Sequence, residues 1–225
     1  MARRVVLCYI TDRRQFPGSE SARRQRLLAK IEEAARAGVD YVQLREKDLP
    51  ARELEWLAAE AVKLVRTAAV TTENEEPKTR LLINSRSDIA LAVGIDGIHL
   101  PSDDVSPVEV RHVWDLSADS VAGTRPIIEV SCHSVAEVER ARDQGADYVL
   151  LAPIFEKKDA PGTKALGLET LKQGCRCGIP VLALGGVTLA NAEVCIAAGA
   201  AGIAAIRLFQ ENDVAEIVGQ LRGHR

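Results

Sequence analysis

Aromatic residues are scarce in this chain: three Phe, three Tyr and two Trp make up 4% of its 225 residues. The core must therefore rest on Ala, Val, Ile and Leu, the side chains that fill buried parallel strands and the helices packed on them. An excess of charge is missing too, since 29 Lys and Arg stand against 32 Asp and Glu for a formal net charge of -3. No overall positive field gathers nucleic acid or anionic lipid, so neither is an expected partner. No apolar run approaches the ~20 residues of a membrane-spanning helix. The apolar stretch near the N-terminus meets Thr11, Asp12, Arg13 and Arg14 within a few residues, which reads as a strand and not as a signal peptide. The five cysteines, Cys8, Cys132, Cys175, Cys177 and Cys195, are odd in number and irregularly spaced. That argues against a disulfide framework and zinc-ligand pairs, and predicts free thiols in a reducing, cytoplasmic compartment. A Gly-x-Gly-x-x-Gly fingerprint after the first strand is also lacking, which argues against an open dinucleotide-binding sheet.

What is present is ordinary globular composition, 47% hydrophobic and 27% charged, arranged in a repeat. Four alanine-rich helical stretches end at Gly38, Gly94, Gly145 and Gly199, and each leads through a small residue, with Asp in the first three, into a β-rich run. These glycines stand 56, 51 and 54 residues apart, about two strand-helix units per period. Intervening strands are read at Val5 to Ile10, Leu81 to Asn84, Ile127 to Val130 and Val181 to Leu184. Helical spacing is plain in Leu54, Leu57, Ala58, Ala61, Leu64 and Val65. The fold class predicted is α/β, a single (β/α)8 barrel domain spanning residues 1–225. The polar segments Thr71 to Lys78 and Leu116 to Pro126 read as loops.

In such a barrel, chemistry sits on the loops at the carboxyl ends of the strands. Gln43, Arg45 and Lys47 alternate at the end of the second strand, so a period of two puts all three at the barrel mouth. A guanidinium beside an ammonium suits a phosphate or diphosphate, although a solvated charge cluster with Glu46 and Asp48 has the same pattern. Gly185 and Gly186, ahead of a helix starting near Leu189, let backbone N–H groups approach an anion, or form a simple turn. Lys157, Lys158 and Gly162-Thr163-Lys164 make a basic loop long enough to fold over a ligand. Asp103 and Asp104 form a carboxylate pair for Mg²⁺ in company with substrate phosphates, or cap the helix starting near Pro107. Among the four histidines, His133 is the one placed for proton transfer, with a structural hydrogen bond as its other reading.

With these stations in order, the chain resembles the thiamine phosphate synthase and thiazole tautomerase superfamily of (β/α)8 barrels. The resemblance runs through QLREK (43–47), LLINSRSDIALA (81–92), GIHLPSDD (97–104), SCHSVAEVERA (131–141), GADYVLLAPIF (145–155), PVLALGGVT (180–188) and AAGAAGIAAI (197–206). It implies a cytoplasmic transferase of thiamine biosynthesis that condenses hydroxymethylpyrimidine diphosphate with hydroxyethylthiazole phosphate, giving thiamine phosphate and pyrophosphate. The partners implied are small phosphorylated heterocycles, with a homo-oligomer left open, and the implied cofactor is Mg²⁺. Carried over by position, Gln43, Arg45 and Lys47 hold the diphosphate, Asn84 contacts it or the pyrimidine, and Asp104 with Asp103 coordinates Mg²⁺. Ser131 touches the pyrimidine or the leaving group, and Gly186 beside Gly185 binds the thiazole phosphate. Lys47, Ser131 and His133 are the residues expected to act in catalysis.

Three positions depart from the synthase pattern. Ser85 stands where a second Mg²⁺-ligating Asp is usual, and Arg207 where a small Ser is usual. The segment after the sixth strand leaves open which of Lys157, Lys158 and Lys164 meets the diphosphate. The tautomerase branch, which needs no metal, is resembled in Leu100-Pro101-Ser102, in Phe155-Glu156 and in His133 as acid and base. A non-catalytic barrel binding thiamine precursors is the third reading.

Overall fold

The computed structural model describes residues 4–69, 79–117, 125–156, 162 and 164–223. Eight parallel strands close in chain order: β1 (Val6–Ile10), β2 (Tyr41–Leu44), β3 (Arg80–Asn84), β4 (Gly97–Leu100), β5 (Ile127–Cys132), β6 (Tyr148–Leu151), β7 (Val181–Leu184) and β8 (Gly202–Ala205). Closure is made by β1, which pairs with β2 through Cys8 opposite Tyr41 and with β8 through Val6 opposite Gly202. Helices α1 (Glu20–Arg36), α2 (Ala51–Ala69), α3 (Ser87–Val93), α4 (Pro107–Leu116), α5 (Val135–Asp143), α6 (Gly167–Gly174) and α7 (Leu189–Ala197) follow the first seven strands. The short α8 (Arg207–Gln210) and then α9 (Val214–Arg222) follow β8. This is the predicted (β/α)8 barrel. The acidic segment 71–78, and 118–124 of the second predicted loop, lie outside the described residues.

Strand alternation divides the apolar side chains between two cores. Leu7, Tyr9, Val42, Leu44, Leu81, Ile83, Ile98 and their counterparts pack outward under the helices, where they meet Leu54, Leu57, Ala58, Ala61 and Val65 of α2. Cys8, Ile10, Leu82, Tyr148, Leu150, Leu182 and Ala204 fill the barrel interior. Inward positions near the strand carboxyl ends carry polar groups instead, and that exchange defines the mouth.

The repeat seen in the sequence has a physical cause at the opposite end. Gly38, Gly94, Gly145 and Gly199 all have left-handed φ angles between 71° and 105°, ending each helix where a side chain would be strained. The Asp two residues after each of the first three then latches the amino end of the preceding strand. Asp40 Oδ2 accepts from Leu7 N at 2.8 Å, Asp96 Oδ2 from Leu81 N at 2.8 Å, and Asp147 Oδ2 from Ile128 N at 2.7 Å. Each carboxylate is also paired with an arginine: Arg222 on Asp40, Arg80 on Asp96 and Arg111 on Asp147. In the fourth repeat Ala201 has no carboxylate, and its backbone carbonyl takes the Val6 N–H at 3.0 Å.

All five cysteines are free, and four of them are buried. Burial pushes the Cys132 thiol up to about 12 and the Cys195 thiol to about 11, so neither supplies a thiolate near neutral pH. Among the described residues no helix is long and apolar enough to cross a membrane. Because the Asp latches lie away from the mouth, Asp40→Ala should cost about 1–3 kcal/mol through the stranded Leu7 N–H and Arg222. Thermal unfolding should show a lowered midpoint, with turnover per folded molecule unchanged.

Candidate active site

The loops after β1 and β2 are joined by a buried carboxylate. Glu46 is 3% exposed and Arg13 is 4% exposed, and they meet behind the strand ends. Glu46 Oε1 accepts from Thr11 Oγ1 at 2.7 Å, both of its oxygens lie near the Arg13 backbone N–H, and Oε2 accepts from the Arg13 guanidinium at 3.0 Å. The guanidinium continues to Asp48 by a two-pronged contact at 2.7 and 2.8 Å, and to Glu20 at 2.7 Å. Thr11 Oγ1 also accepts the Arg45 backbone N–H at 2.9 Å. Burial raises the Glu46 carboxyl above its ordinary value against the pull of Thr11 and Arg13, whereas the Arg13 guanidinium holds Asp48 down to about 2. The QLREK glutamate is thus a brace behind the mouth.

That brace shapes what the mouth displays. β2 ends at Leu44, so the period of two carries Gln43 alone, while Arg45 and Lys47 are presented by the turn that follows. Gln43 is 1% exposed, yet neither end of its amide has a hydrogen-bond partner, and buried Asn84 Oδ1 on the neighbouring strand has none either. The Asn84 amide nitrogen donates to Ser85 Oγ at 2.9 Å, and Ser85 adopts a left-handed φ of 63°. Buried polar groups are nearly always paired, and leaving one unpaired costs about 1–3 kcal/mol. Arg45 is half-buried and Lys47 exposed, with no acidic partner for either among the described residues. Two open cations therefore stand beside one amide that lacks partners at both ends and a second whose oxygen lacks one.

On the other side of the mouth, Ser131 Oγ lies 3.1 Å from His99 Nε2, and His99 Nδ1 lies 2.6 Å from Glu129 Oε2. His133 is exposed, and its Nδ1 lies 2.8 Å from the Ala152 carbonyl oxygen. A carbonyl can only accept, so Nδ1 carries the proton and Nε2 is the basic nitrogen. Asp103 and Asp104 are exposed, and neither caps α4, whose N-terminus is held by Ser106 and Glu109 in a capping box. Asp104 and Ser131 line one cavity of about 140 Å³, together with Leu100, Pro101, Glu137 and Arg140. No cationic side chain among the described residues pairs with either Asp, and an oxygen-only set of one or two carboxylates fits Mg²⁺ that is completed by water and substrate phosphates.

Gly185 and Gly186 have φ of 90° and 68°, and a Cβ on Gly186 would sit 2.7 Å from the Phe155 side chain and 2.8 Å from the Glu156 carbonyl. The glycine pair therefore lets the β7 and β6 loops touch above the barrel, just ahead of α7. Arg207 is half-buried at the start of α8, and Lys164 is exposed ahead of α6. Lys157, Lys158 and Thr163 lie outside the described residues. His99 and Glu129 escaped the sequence reading, which assigned proton chemistry to His133 alone. Their signal was alternation: His99 is two residues after Gly97 and Glu129 two before Ser131, both in phase with inward positions.

The brace predicts a pH dependence. Asp48 is depressed in the folded state, so its contribution to stability is present above the ordinary Asp value of about 3.9 and is lost as pH falls through about 2. Urea unfolding of the wild type and Asp48→Asn should show a constant stability difference from neutral pH to about 4 that closes toward pH 2.

Comparison with known proteins agrees with this architecture. The family model described as thiamine monophosphate synthase matches residues 7–209. A relative from Aquifex aeolicus, provisionally named a thiamine-phosphate synthase, is 39% identical over 203 residues, covering 90% of this chain and 96% of its own. The thiamine-phosphate synthase of Roseiflexus sp. is 37% identical over 204 residues, 89% of this chain and 76% of its own. Among solved structures, thiamine phosphate pyrophosphorylase from Pyrococcus furiosus superposes with a TM-score of 0.76 at 28% identity, covering 98% of this chain and 95% of that one. With a closed eight-stranded barrel, polar groups gathered at its mouth and a family match spanning nearly every strand, the chain belongs to the thiamine monophosphate synthase family.

Proposed function

We propose that the protein is a thiamine-phosphate synthase, joining hydroxymethylpyrimidine diphosphate to hydroxyethylthiazole phosphate with release of pyrophosphate. The observation that carries this reading is the unpaired Gln43 amide and the unpaired Asn84 Oδ1, both buried, beside the cations Arg45 and Lys47, which have no acidic partner among the described residues. An amide pair of this kind suits the hydrogen-bonding edge of a heterocycle, and the cations suit the diphosphate attached to it. Relatives named for this activity support the same reading.

In the reaction, negative charge builds on the diphosphate as its bond to the pyrimidine methylene breaks. Arg45 and Lys47 stabilise that charge from fixed positions, because the Glu46 brace holds their turn before substrate arrives. Gln43 and Asn84 orient the pyrimidine, and the Gly185-Gly186 turn beside α7 receives the thiazole phosphate, so the ring nitrogen faces the methylene cation. Arg207, at the carboxyl end of β8, adds a cation on the thiazole side, and Lys164, exposed ahead of α6, is a further cation for the leaving diphosphate. Asp104 with Asp103 would hold Mg²⁺, which when bound neutralises diphosphate charge. The free thiols favour a reducing, cytoplasmic setting.

The test is direct. Purified protein with both substrates, with and without Mg²⁺, should form thiamine phosphate in a metal-dependent manner, and absence of product from folded protein would overturn the reading. Lys47→Ala should lower kcat by about 10²- to 10³-fold, as removal of one transition-state donor does elsewhere. An unchanged kcat would remove Lys47 from the diphosphate site.

One observation favours a second reading, a thiazole tautomerase. The Ala152 carbonyl fixes the His133 tautomer and leaves Nε2 as a base at the end of β5. On that reading, the protein isomerises a thiazole carboxylate phosphate and His133→Gln abolishes the activity, whereas the synthase reading leaves that substrate unconverted.

A further inference from the structure

Glu129 is fully buried inside the barrel, in a place where an apolar side chain would suffice. A buried carboxylate costs several kcal/mol unless it is paired, and apolar replacement of a buried ion pair is often neutral or better. Here the pairing is directional. Oε1 takes the Cys8 thiol at 3.7 Å, and Oε2 lies 2.6 Å from His99 Nδ1. His99, 5% exposed, sits on β4 between the two inward residues of β5, and its Nε2 reaches Ser131 Oγ at 3.1 Å. Of the three, only Ser131 is open toward the mouth. The result is a line of carboxylate, imidazole and hydroxyl running from the barrel interior to the substrate side. A carboxylate on Nδ1 sets the tautomer and stabilises the imidazolium formed when Nε2 takes a proton, the arrangement that activates a serine hydroxyl on unrelated folds.

We propose that Glu129, His99 and Ser131 form a proton relay, in which Ser131 takes a proton from an N–H of the bound phosphorylated heterocycle while passing its own to His99 Nε2. The identity of that heterocycle rests on the synthase reading above. In the step, the heterocycle N–H bond breaks as a new O–H bond forms on Ser131, and the original Ser131 O–H bond breaks as an N–H bond forms on His99. The imidazolium charge is matched by Glu129, and the electron pair left on the heterocycle neutralises the cation created by diphosphate departure. Once the new C–N bond has formed, the proton returns along the same path to the nitrogen it left. Ser131 is the catalytic residue in this scheme, and His99 and Glu129 are positioning residues acting through it. The other titratable groups around Glu129 are Cys8 from β1, Tyr148 from β6 and Tyr41 from β2, whose ring is stacked on that of Tyr148. Burial raises all three and keeps them neutral, so none competes for the proton.

A double-mutant cycle on thiamine phosphate formation tests the relay. Glu129→Gln keeps the shape and an acceptor for the Nδ1 proton, and removes only the charge. It should lower kcat by about 10- to 100-fold with KM unchanged, and Ser131→Ala by about 100-fold. The double variant should be no slower than Ser131→Ala, because a relay is broken once. Wild-type kcat in Glu129→Gln, or losses that multiply, would overturn the proposal. If Glu129→Gln does not fold, His99→Asn takes its place in the cycle. Proton NMR gives a readout apart from activity: the wild type should show a far-downfield imidazole N–H that is lost in His99→Gln, and its absence from the wild type also overturns the relay. A wild type that makes no thiamine phosphate but shows that resonance contradicts the synthase reading and leaves the Glu129–His99 geometry standing.

Discussion

The placement of the catalytic mouth depends on one buried ion pair, Arg13 with Glu46. Two loops leave the barrel after β1 and β2, and without a brace a polar turn there would move as surface loops do. Glu46 collects the Thr11 hydroxyl and both the backbone N–H and the guanidinium of Arg13, and Thr11 in turn takes the Arg45 backbone N–H. These contacts extend the order of the strands past the last ladder hydrogen bond. The buried pair is tolerated because nearly every lone pair and N–H is matched, and breaking such a pair from one side typically costs about 3–5 kcal/mol. A mouth held this way meets a diphosphate with its cations already in place, which is how electrostatic catalysis avoids reorganisation.

The division of labour between the barrel ends follows from the same logic. At the amino end, Asp40, Asp96 and Asp147 satisfy strand N–H groups and pair with arginines. At the carboxyl end, the Gln43 amide and Asn84 Oδ1 are left unsatisfied, and Glu129 is buried at a cost that packing alone does not require. The Asp latches stand at one end and the unpaired amide groups at the other, as expected for a barrel whose function lies at the strand carboxyl ends.

Much of this was legible in the sequence. The barrel followed from the glycine-punctuated repeat, because the physical events behind it, a left-handed helix end and an Asp latch, leave fixed residues at fixed spacing. The strand-end stations were legible for the same reason. What escaped were roles that depend on contacts across strands. Glu46 reads as one more charge in a charged segment until Arg13, 33 residues earlier, is seen to lie against it. His99 and Glu129, 30 residues apart, become partners only when β4 and β5 pair in register. The alternation of Gln43, Arg45 and Lys47 was overextended, since the strand stops at Leu44 and a braced turn presents the other two.

The central claim is that Gln43, Asn84, Arg45 and Lys47 form a substrate site held ready by the Glu46 brace. A crystal structure of the protein with pyrophosphate and thiamine phosphate bound tests it most directly. The account predicts the Gln43 and Asn84 amides on the pyrimidine, Arg45 and Lys47 on pyrophosphate oxygens, and Glu46 still holding Thr11 and Arg13. Pyrophosphate bound elsewhere on the barrel, or Glu46 swung away from Arg13 toward the ligand, would contradict it.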